Sequence, residues 1–227
     1  MSEETPSRRL LRSDRNRVLL VGGVFFVLFL IAGAYFVLHM PGTFGHPQMV
    51  ASFAADFTEG KPTNQWHYLW NPKGPIGNAS NYVVLHWNGS MYVPNEIAEY
   101  PQPPPAHYLR LQRGSGHPGF GCGQGRQAGN FEERFVIAGF SVSKSGRYWL
   151  TNSSIARRAG PKDGTLHVRV FVNDHEIGHP VDCRSTEPLP FNCELGGLSE
   201  GDTIYVGVGP NEVDVNDGFD IDFAIAR

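Results

Sequence analysis

The densest set of oxygen-bearing side chains lies near the C-terminus, in the run DVNDGFDID at residues 214–222. Calcium takes about six to eight oxygen ligands in proteins. This makes Asp214, Asn216, Asp217 and Asp220 candidate ligands of a calcium ion, with Asp56 as a further candidate from the first predicted strand. The spacing differs from that of an EF-hand loop. An Asx-rich turn that leads into the last strand is the alternative interpretation.

Aromatic side chains form a second group that could bind a ligand. Large rings with polar tips suit the flat C–H faces of sugars. The candidates between residues 66 and 100 are Trp66, Tyr68, Trp70, Trp87, Tyr92 and Tyr100. The first three alternate along one predicted strand, which favours a place in the core. The other three lie beside loops, so the candidate ligand-binding residues are Trp87, Tyr92, Tyr100, His107 and His117.

The sequence contains no motif that indicates catalysis. It has no G-x-S-x-G elbow, no phosphate-binding P-loop and no dinucleotide fingerprint. A pair of carboxylates in an open cleft would be enough for a glycosidase, so an unrecognised hydrolase remains an alternative. We predict that the chain is not an enzyme.

The three cysteines bear on the redox compartment. Cys183 and Cys193 lie at the two ends of the segment RSTEPLPFN, and in an oxidising compartment they would close a small loop as a disulfide. Two separate buried thiols are the alternative. Cys122 is left over, between two glycines.

An uninterrupted apolar run at 18–38 predicts a transmembrane helix. Its 21 residues, VLLVGGVFFVLFLIAGAYFVL, contain no charge, and at ~1.5 Å per residue they span the ~30 Å hydrocarbon core of a bilayer. Five arginines precede the run, whereas the first basic residue after it is Lys61. The positive-inside rule therefore keeps the tail at 1–17 in the cytoplasm. A cleavable signal peptide, cut near Ala32-Gly33-Ala34, is the alternative.

The remainder of the chain is predicted to lie outside the cytoplasm. Residues 39–50 contain Pro and Gly without periodicity and indicate a stalk, and residues 51–227 form the extracytoplasmic domain. Outside the tail there are 14 Lys and Arg against 19 Asp and Glu, a net charge of −5. Nucleic acid is not expected as a partner, because phosphate neutralisation needs clustered basic side chains.

Short β-branched and aromatic runs, separated by Gly, Pro, Asn and Asp, predict an all-β domain. In LHVRV at 166–170 the apolar residues fall on every second position, so one face is buried. The predicted strands are 51–57, 65–70, 82–86, 108–112, 134–142, 146–155, 166–172, 203–208 and 219–226. About nine strands favour a sandwich of two antiparallel sheets. The segments 92–107 and 114–130 are predicted to be long loops that carry the binding function.

The order of several short motifs resembles the bacterial galactose-binding-like jelly-roll modules, which are similar to carbohydrate-binding modules. The motifs are DF at 56–57, WHY at 66–68, HPG at 117–119, FVI at 135–137, SGRY at 145–148, DG at 163–164, HVRVFVND at 167–174, GDTIYV at 201–206 and NDGFD at 216–220. The resemblance implies a jelly roll that binds carbohydrate or serves an enzyme as an accessory. No catalytic domain is attached in this sequence.

These observations favour a membrane-anchored binding module for a glycan or cell-envelope polymer. The main alternative is a structural or assembly protein of the envelope that binds a protein partner and no small ligand. The expected contacts are the lipid bilayer through 18–38, a glycan and an envelope protein.

Overall fold

The computed structural model describes residues 47–62, 65–95, 100–121, 132–158, 164–211 and 213–227. The predicted cytoplasmic tail, the membrane segment at 18–38, most of the stalk and Cys122 lie outside these ranges. Within the ranges, no helix has the length and apolar character needed to cross a bilayer.

Two antiparallel sheets make up the described chain. The first sheet contains β1 (Met49–Ser52), β4 (His86–Trp87), β5 (Tyr92–Val93), β6 (Arg110–Gln112), β7 (Ser115–His117), β9 (Gly146–Arg157), β13 (Cys193–Leu198) and β15 (Phe219–Ala226). The second contains β2 (Trp66–Trp70), β3 (Val83–Val84), β8 (Val136–Ser141), β10 (Leu166–Val172), β11 (His175–Glu176), β12 (Val181–Cys183) and β14 (Thr203–Gly209). A four-residue helix, α1 (Phe53–Asp56), follows β1, and a single 3-10 turn covers Ala79–Asn81.

The strand order places successive long strands of the C-terminal half on opposite sheets. The first sheet runs β13-β9-β15-β7-β6-β5-β4, with β1 paired to β15, and the second runs β11-β10-β14-β8-β2-β3, with β12 paired to β10. From β8 onward the long strands alternate between the sheets, and side chains from both sheets share one buried apolar cluster. The predicted all-β class and β-sandwich are confirmed.

Alternation along the strands builds this core. On β10, Leu166 and Val168 are buried, whereas His167 and Arg169 between and beyond them are half-exposed. The trio predicted to fill the core does so: Trp66, Tyr68 and Trp70 are between 0% and 7% exposed. The Trp66 ring packs with those of Phe53, Phe140 and Phe223, and the Tyr68 ring packs with that of Phe57.

Three local predictions were wrong. The strand predicted at 51–57 ends at Ser52, because the Ser52 hydroxyl accepts from the amide of Ala55 and the Asp56 carboxylate accepts from the amide of Ser52. These reciprocal bonds cap a helical turn instead. The strand predicted at 82–86 is divided between β3 and β4, which belong to different sheets. The loop predicted at 114–130 begins with β7, which pairs with β15.

The predicted disulfide is absent. Its two cysteines are free thiols, and they belong to different sheets. Cys183 ends β12, which pairs with β10, whereas Cys193 begins β13, which pairs with β9. The Cys183 thiol donates to the carbonyls of Ile155 and Ser185, at 3.7 and 3.5 Å. Burial raises the pKa of both thiols, that of Cys193 to about 11.

The outer face of the second sheet carries a smaller apolar cluster, which consists of Ile76, Phe135, Ile137 and Phe171. Two glycines of β14 make room for it. A Cβ on Gly209 would lie 2.4 Å from the Phe135 ring, and a Cβ on Gly207 would lie 2.4 Å from Ile76. The chain after β2 can therefore fold back over this face.

Candidate functional site

Two exposed tyrosines pack together on the segment that leads into β6. The rings of Tyr100 and Tyr108 are 5.9 Å apart at 65°, and each residue is 36% exposed. Tyr100 donates its hydroxyl to the Tyr108 carbonyl at 3.1 Å. Arg110 donates to the Tyr100 hydroxyl and lies 5.4 Å from the centre of that ring. We call Tyr100, Tyr108 and Arg110 the tyrosine platform.

His107 connects the platform to the acidic turn near the C-terminus. Its ring lies 3.9 Å from the ring of Tyr108 and 5.1 Å from that of Phe120. Its Nδ1 is 2.9 Å from a carboxylate oxygen of Asp214, which is fully buried. Because His107 adopts a positive φ of 47° and its carbonyl accepts from Gln102, its backbone conformation is also fixed.

His117 lies beneath the platform, on β7 directly opposite Arg110. Its ring is 5.6 Å from the ring of Tyr108. Burial lowers the pKa of His117 to about 4, so the ring is neutral at pH 7. The Nδ1–H donates to the Pro118 carbonyl at 2.7 Å, which leaves Nε2 as a hydrogen-bond acceptor.

A buried ion pair lies in the same turn as Asp214. Asp217 is fully buried, and its Oδ1 is 3.8 Å from Nη2 of the equally buried Arg157. Among the described residues neither carboxylate oxygen of Asp217 accepts a hydrogen bond. Burial raises the pKa of Asp217 to about 7, although the Arg157 charge acts in the opposite direction.

The other predicted calcium ligands lie apart from this pair. Asp56 accepts from Ser52 and Trp66 beside α1. Asn216 is exposed at a positive φ of 61°, and exposed Asp220 is paired with Arg158 at 2.8 Å. Within the described ranges there is no group of three His, Cys, Asp or Glu side chains arranged to hold a metal. In this arrangement the two buried carboxylates, Asp214 and Asp217, face His107 and Arg157.

Of the five predicted ligand-binding residues, the structure brings three together and separates two. Tyr100, His107 and His117 all surround Tyr108, as described above. Tyr92 is fully buried in the core, and its hydroxyl donates to the Thr58 carbonyl, so its ring is not available to a ligand. Trp87 packs its ring against Tyr92 at 5.1 Å and lies against the core.

Sequence reasoning did not select Tyr108 or Arg110 as binding residues. Both were assigned to a predicted strand at 108–112, whereas β6 begins only at Arg110. The useful signal was the PQPPP segment just before Tyr108, since a Pro-rich segment that cannot join a sheet must lie at the surface.

No family model matches this sequence, and no curated protein matches it. Among solved structures, a family 35 carbohydrate-binding module from Clostridium thermocellum is 16% identical, over 41% of this chain and 69% of that one, with a TM-score of 0.29. A family 35 module from an environmental isolate is 18% identical, over 41% of this chain and 64% of that one, with a TM-score of 0.28. An exo-beta-1,3-galactanase from Phanerochaete chrysosporium is 13% identical, over 74% and 29% of the two chains, with a TM-score of 0.27. Likenesses this weak carry no argument about function.

Proposed function

We propose that the chain is a membrane-anchored, extracytoplasmic binding module for a carbohydrate or cell-envelope polymer. The observation that carries the binding role is the tyrosine platform, in which two rings are exposed yet held in place by Arg110 and by the backbone. The apolar run at 18–38 supports the anchor, and the arginines before it support the orientation. The alternation of long strands between the sheets supports a jelly roll.

The platform has the chemistry that a sugar ring requires. Tyr100 and Tyr108 supply apolar surface for the C–H face, and Arg110 and His107 supply polar edges for hydroxyl groups. Because His107 is held by buried Asp214, and the Tyr100 hydroxyl by Arg110 and the Tyr108 carbonyl, little side-chain entropy is lost on binding. We therefore expect the platform to bind a sugar ring without a conformational change.

Retention of the full-length chain on immobilised polysaccharides tests the proposal. Covering the exposed third of one tyrosine removes roughly 70 Å² from water, which is about 2 kcal/mol. We therefore expect Tyr108→Ala to weaken binding of a retained polymer about tenfold or more, and Tyr100→Ala to act in the same direction. Trp149→Ala is the matched control, since Trp149 is a half-exposed ring that stacks with Arg147 away from the platform.

Saturable, competable retention that the platform variants lose and the control keeps would support the proposal. Equal loss in all three variants would indicate that the substitutions damage the fold. If no polysaccharide of a broad panel retains the wild-type chain, the result would count against glycan binding.

The alternative of an assembly protein has one observation in its favour. Strand β3 lies at the edge of the second sheet, and its Val83 and Val84 are 45% and 54% exposed. An exposed apolar edge strand can pair with a strand of another protein. Co-purification of one defined envelope protein in mild detergent, lost when Val84 is replaced by Lys, would favour this function.

A further inference from the structure

A cleft of about 390 Å³ opens on the second sheet, among residues that the tyrosine platform does not use. Pro75, Ile76 and Phe135 form an apolar wall, and five polar side chains complete the lining: Glu132, Glu133, His167, Arg169 and Asn211. Its volume is within the range of small-molecule sites, and an apolar wall facing a few polar groups is the usual composition of such sites.

The walls of the cleft are fixed by a buried amide. Asn71 is fully buried and donates to the carbonyls of Gly74 and Glu133 at 3.0 and 2.9 Å. Its side-chain oxygen accepts from the amide of Phe135 at 2.6 Å. Three hydrogen bonds from one side chain therefore hold the chain after β2 against the chain before β8, so the cleft is preformed.

The basic side chains near the cleft make their hydrogen bonds with carboxylates other than Glu133. Arg169 makes two hydrogen bonds to Glu176, at 2.7 and 2.6 Å. His167 places its Nδ1 2.5 Å from Asp182, and Arg134 lies 3.3 Å from Glu132. Each of these basic side chains already has a carboxylate partner within the protein.

Glu133 differs from the other carboxylates of the cleft. Its Oε1 is buried and accepts no hydrogen bond from the described residues, and the nearest ring nitrogen, Nε2 of His167, is 3.8 Å away. Burial raises the pKa of Glu133 to about 7, with His167 and Arg169 opposing the shift and Asp182 adding to it. A buried acceptor without a donor is costly, and a charged donor from a ligand would offset that cost.

We propose that this cleft is a second ligand site, which takes a protonated amino sugar whose ammonium group pairs with Glu133. The sugar ring packs its C–H face on Ile76 and Phe135, and its hydroxyls face Glu132 and Asn211. The proposal is independent of the platform, since the two sites share no residue.

Isothermal titration of the full-length chain with a glucosamine disaccharide tests the proposal, with the neutral diacetylated disaccharide as the comparison ligand. We expect the amine form to bind at least about tenfold more tightly than the neutral form, because a hydrogen bond between charged groups is lost on acetylation. Glu133→Gln should weaken binding of the amine form by a similar factor and should fold normally, since it removes a buried charge. Glu187→Gln is the matched control, because Glu187 is an exposed carboxylate outside the cleft.

Four results would overturn the proposal: no binding of the amine form, equal binding of both forms, no effect of Glu133→Gln, or equal loss in the control. Putrescine, which has amines but no ring, should bind at least about tenfold more weakly than the disaccharide, and equal binding would refute the role of the sugar ring. The preference for the amine form over the neutral form reports on Glu133, whereas retention on immobilised polysaccharides reports on the tyrosine platform, so a failure of the platform and a failure of the cleft are distinguishable.

Discussion

Replacing Asp217 by Asn should change how the stability of the protein depends on pH. Asp217 is fully buried with Arg157, and burial raises the pKa of its carboxyl from 3.8 to about 7. A carboxyl with a raised pKa in the folded state stabilises the fold when protonated. That contribution is present in full below about pH 3.8 and is lost as the pH rises through about 7.

The size of the effect follows from the interval between the two pKa values. From 3.8 to about 7, at about 1.4 kcal/mol per pH unit, the contribution changes by about 4 kcal/mol. Penetrating solvent screens part of this, so we expect a change of about 2–4 kcal/mol. The free energy of unfolding of the wild type, minus that of Asp217→Asn, should fall by this amount between pH 4 and pH 8.

Urea denaturation followed by tryptophan fluorescence at intervals from pH 4 to pH 8 measures this difference. Glu133 also titrates near neutrality, but it does so in both proteins, so its contribution cancels. A difference that stays flat, or that rises with pH, would refute the reasoning. A rise would mean that attraction to Arg157 outweighs burial and that the pKa of Asp217 is depressed in the folded protein.

Three further predictions concern groups that the fold holds in place. Asn71→Ala should lower the free energy of unfolding by about 2–4 kcal/mol in urea denaturation, since it leaves the buried amide of Phe135 and the part-buried carbonyl of Glu133 without their partner. Addition of a chelator should change the melting temperature by less than about 2 °C, because Asp214 and Asp217 already face cationic or hydrogen-bonding side chains; a larger fall would support the calcium interpretation. Dithiothreitol should also leave the melting temperature unchanged, because Cys183 and Cys193 are free thiols; a clear fall would show that they are bonded.

The parts of the fold that follow from local patterns were predictable from the sequence. Strand β10 was predicted with its bounds, because apolar and polar residues alternate in LHVRV, with the apolar residues buried and the polar residues partly exposed. The core trio on β2 was predicted for the same reason. In contrast, β13 has the sequence CELGGL, which carries two glycines and no β-branched residue. It is a strand only because β9 lies beside it, and pairing between distant segments leaves no local signal.

The candidate sites were harder to predict, because their residues come from distant segments. Arg169 and His167 were visible as the polar face of β10, but the cleft also needs Glu133, which precedes β8. Similarly, His107 was selected from the sequence, yet its partner Asp214 is 107 residues away. Individual residues were thus identifiable, whereas their grouping depends on sheet topology.

The acidic turn shows how side chains that are close in sequence are divided between two environments in a β protein. Side chains that are adjacent along a strand point to opposite faces. On β15, Phe219 and Ile221 are buried while Asp220 and Asp222 are exposed, so these two carboxylates point away from the interior. Asp214 and Asp217 precede the strand and turn inward, where His107 and Arg157 meet them. The run of acidic residues is therefore divided between two environments. Asp220 and Asp222 are exposed on β15, whereas Asp214 and Asp217 are buried against His107, from the loop before β6, and Arg157, from β9.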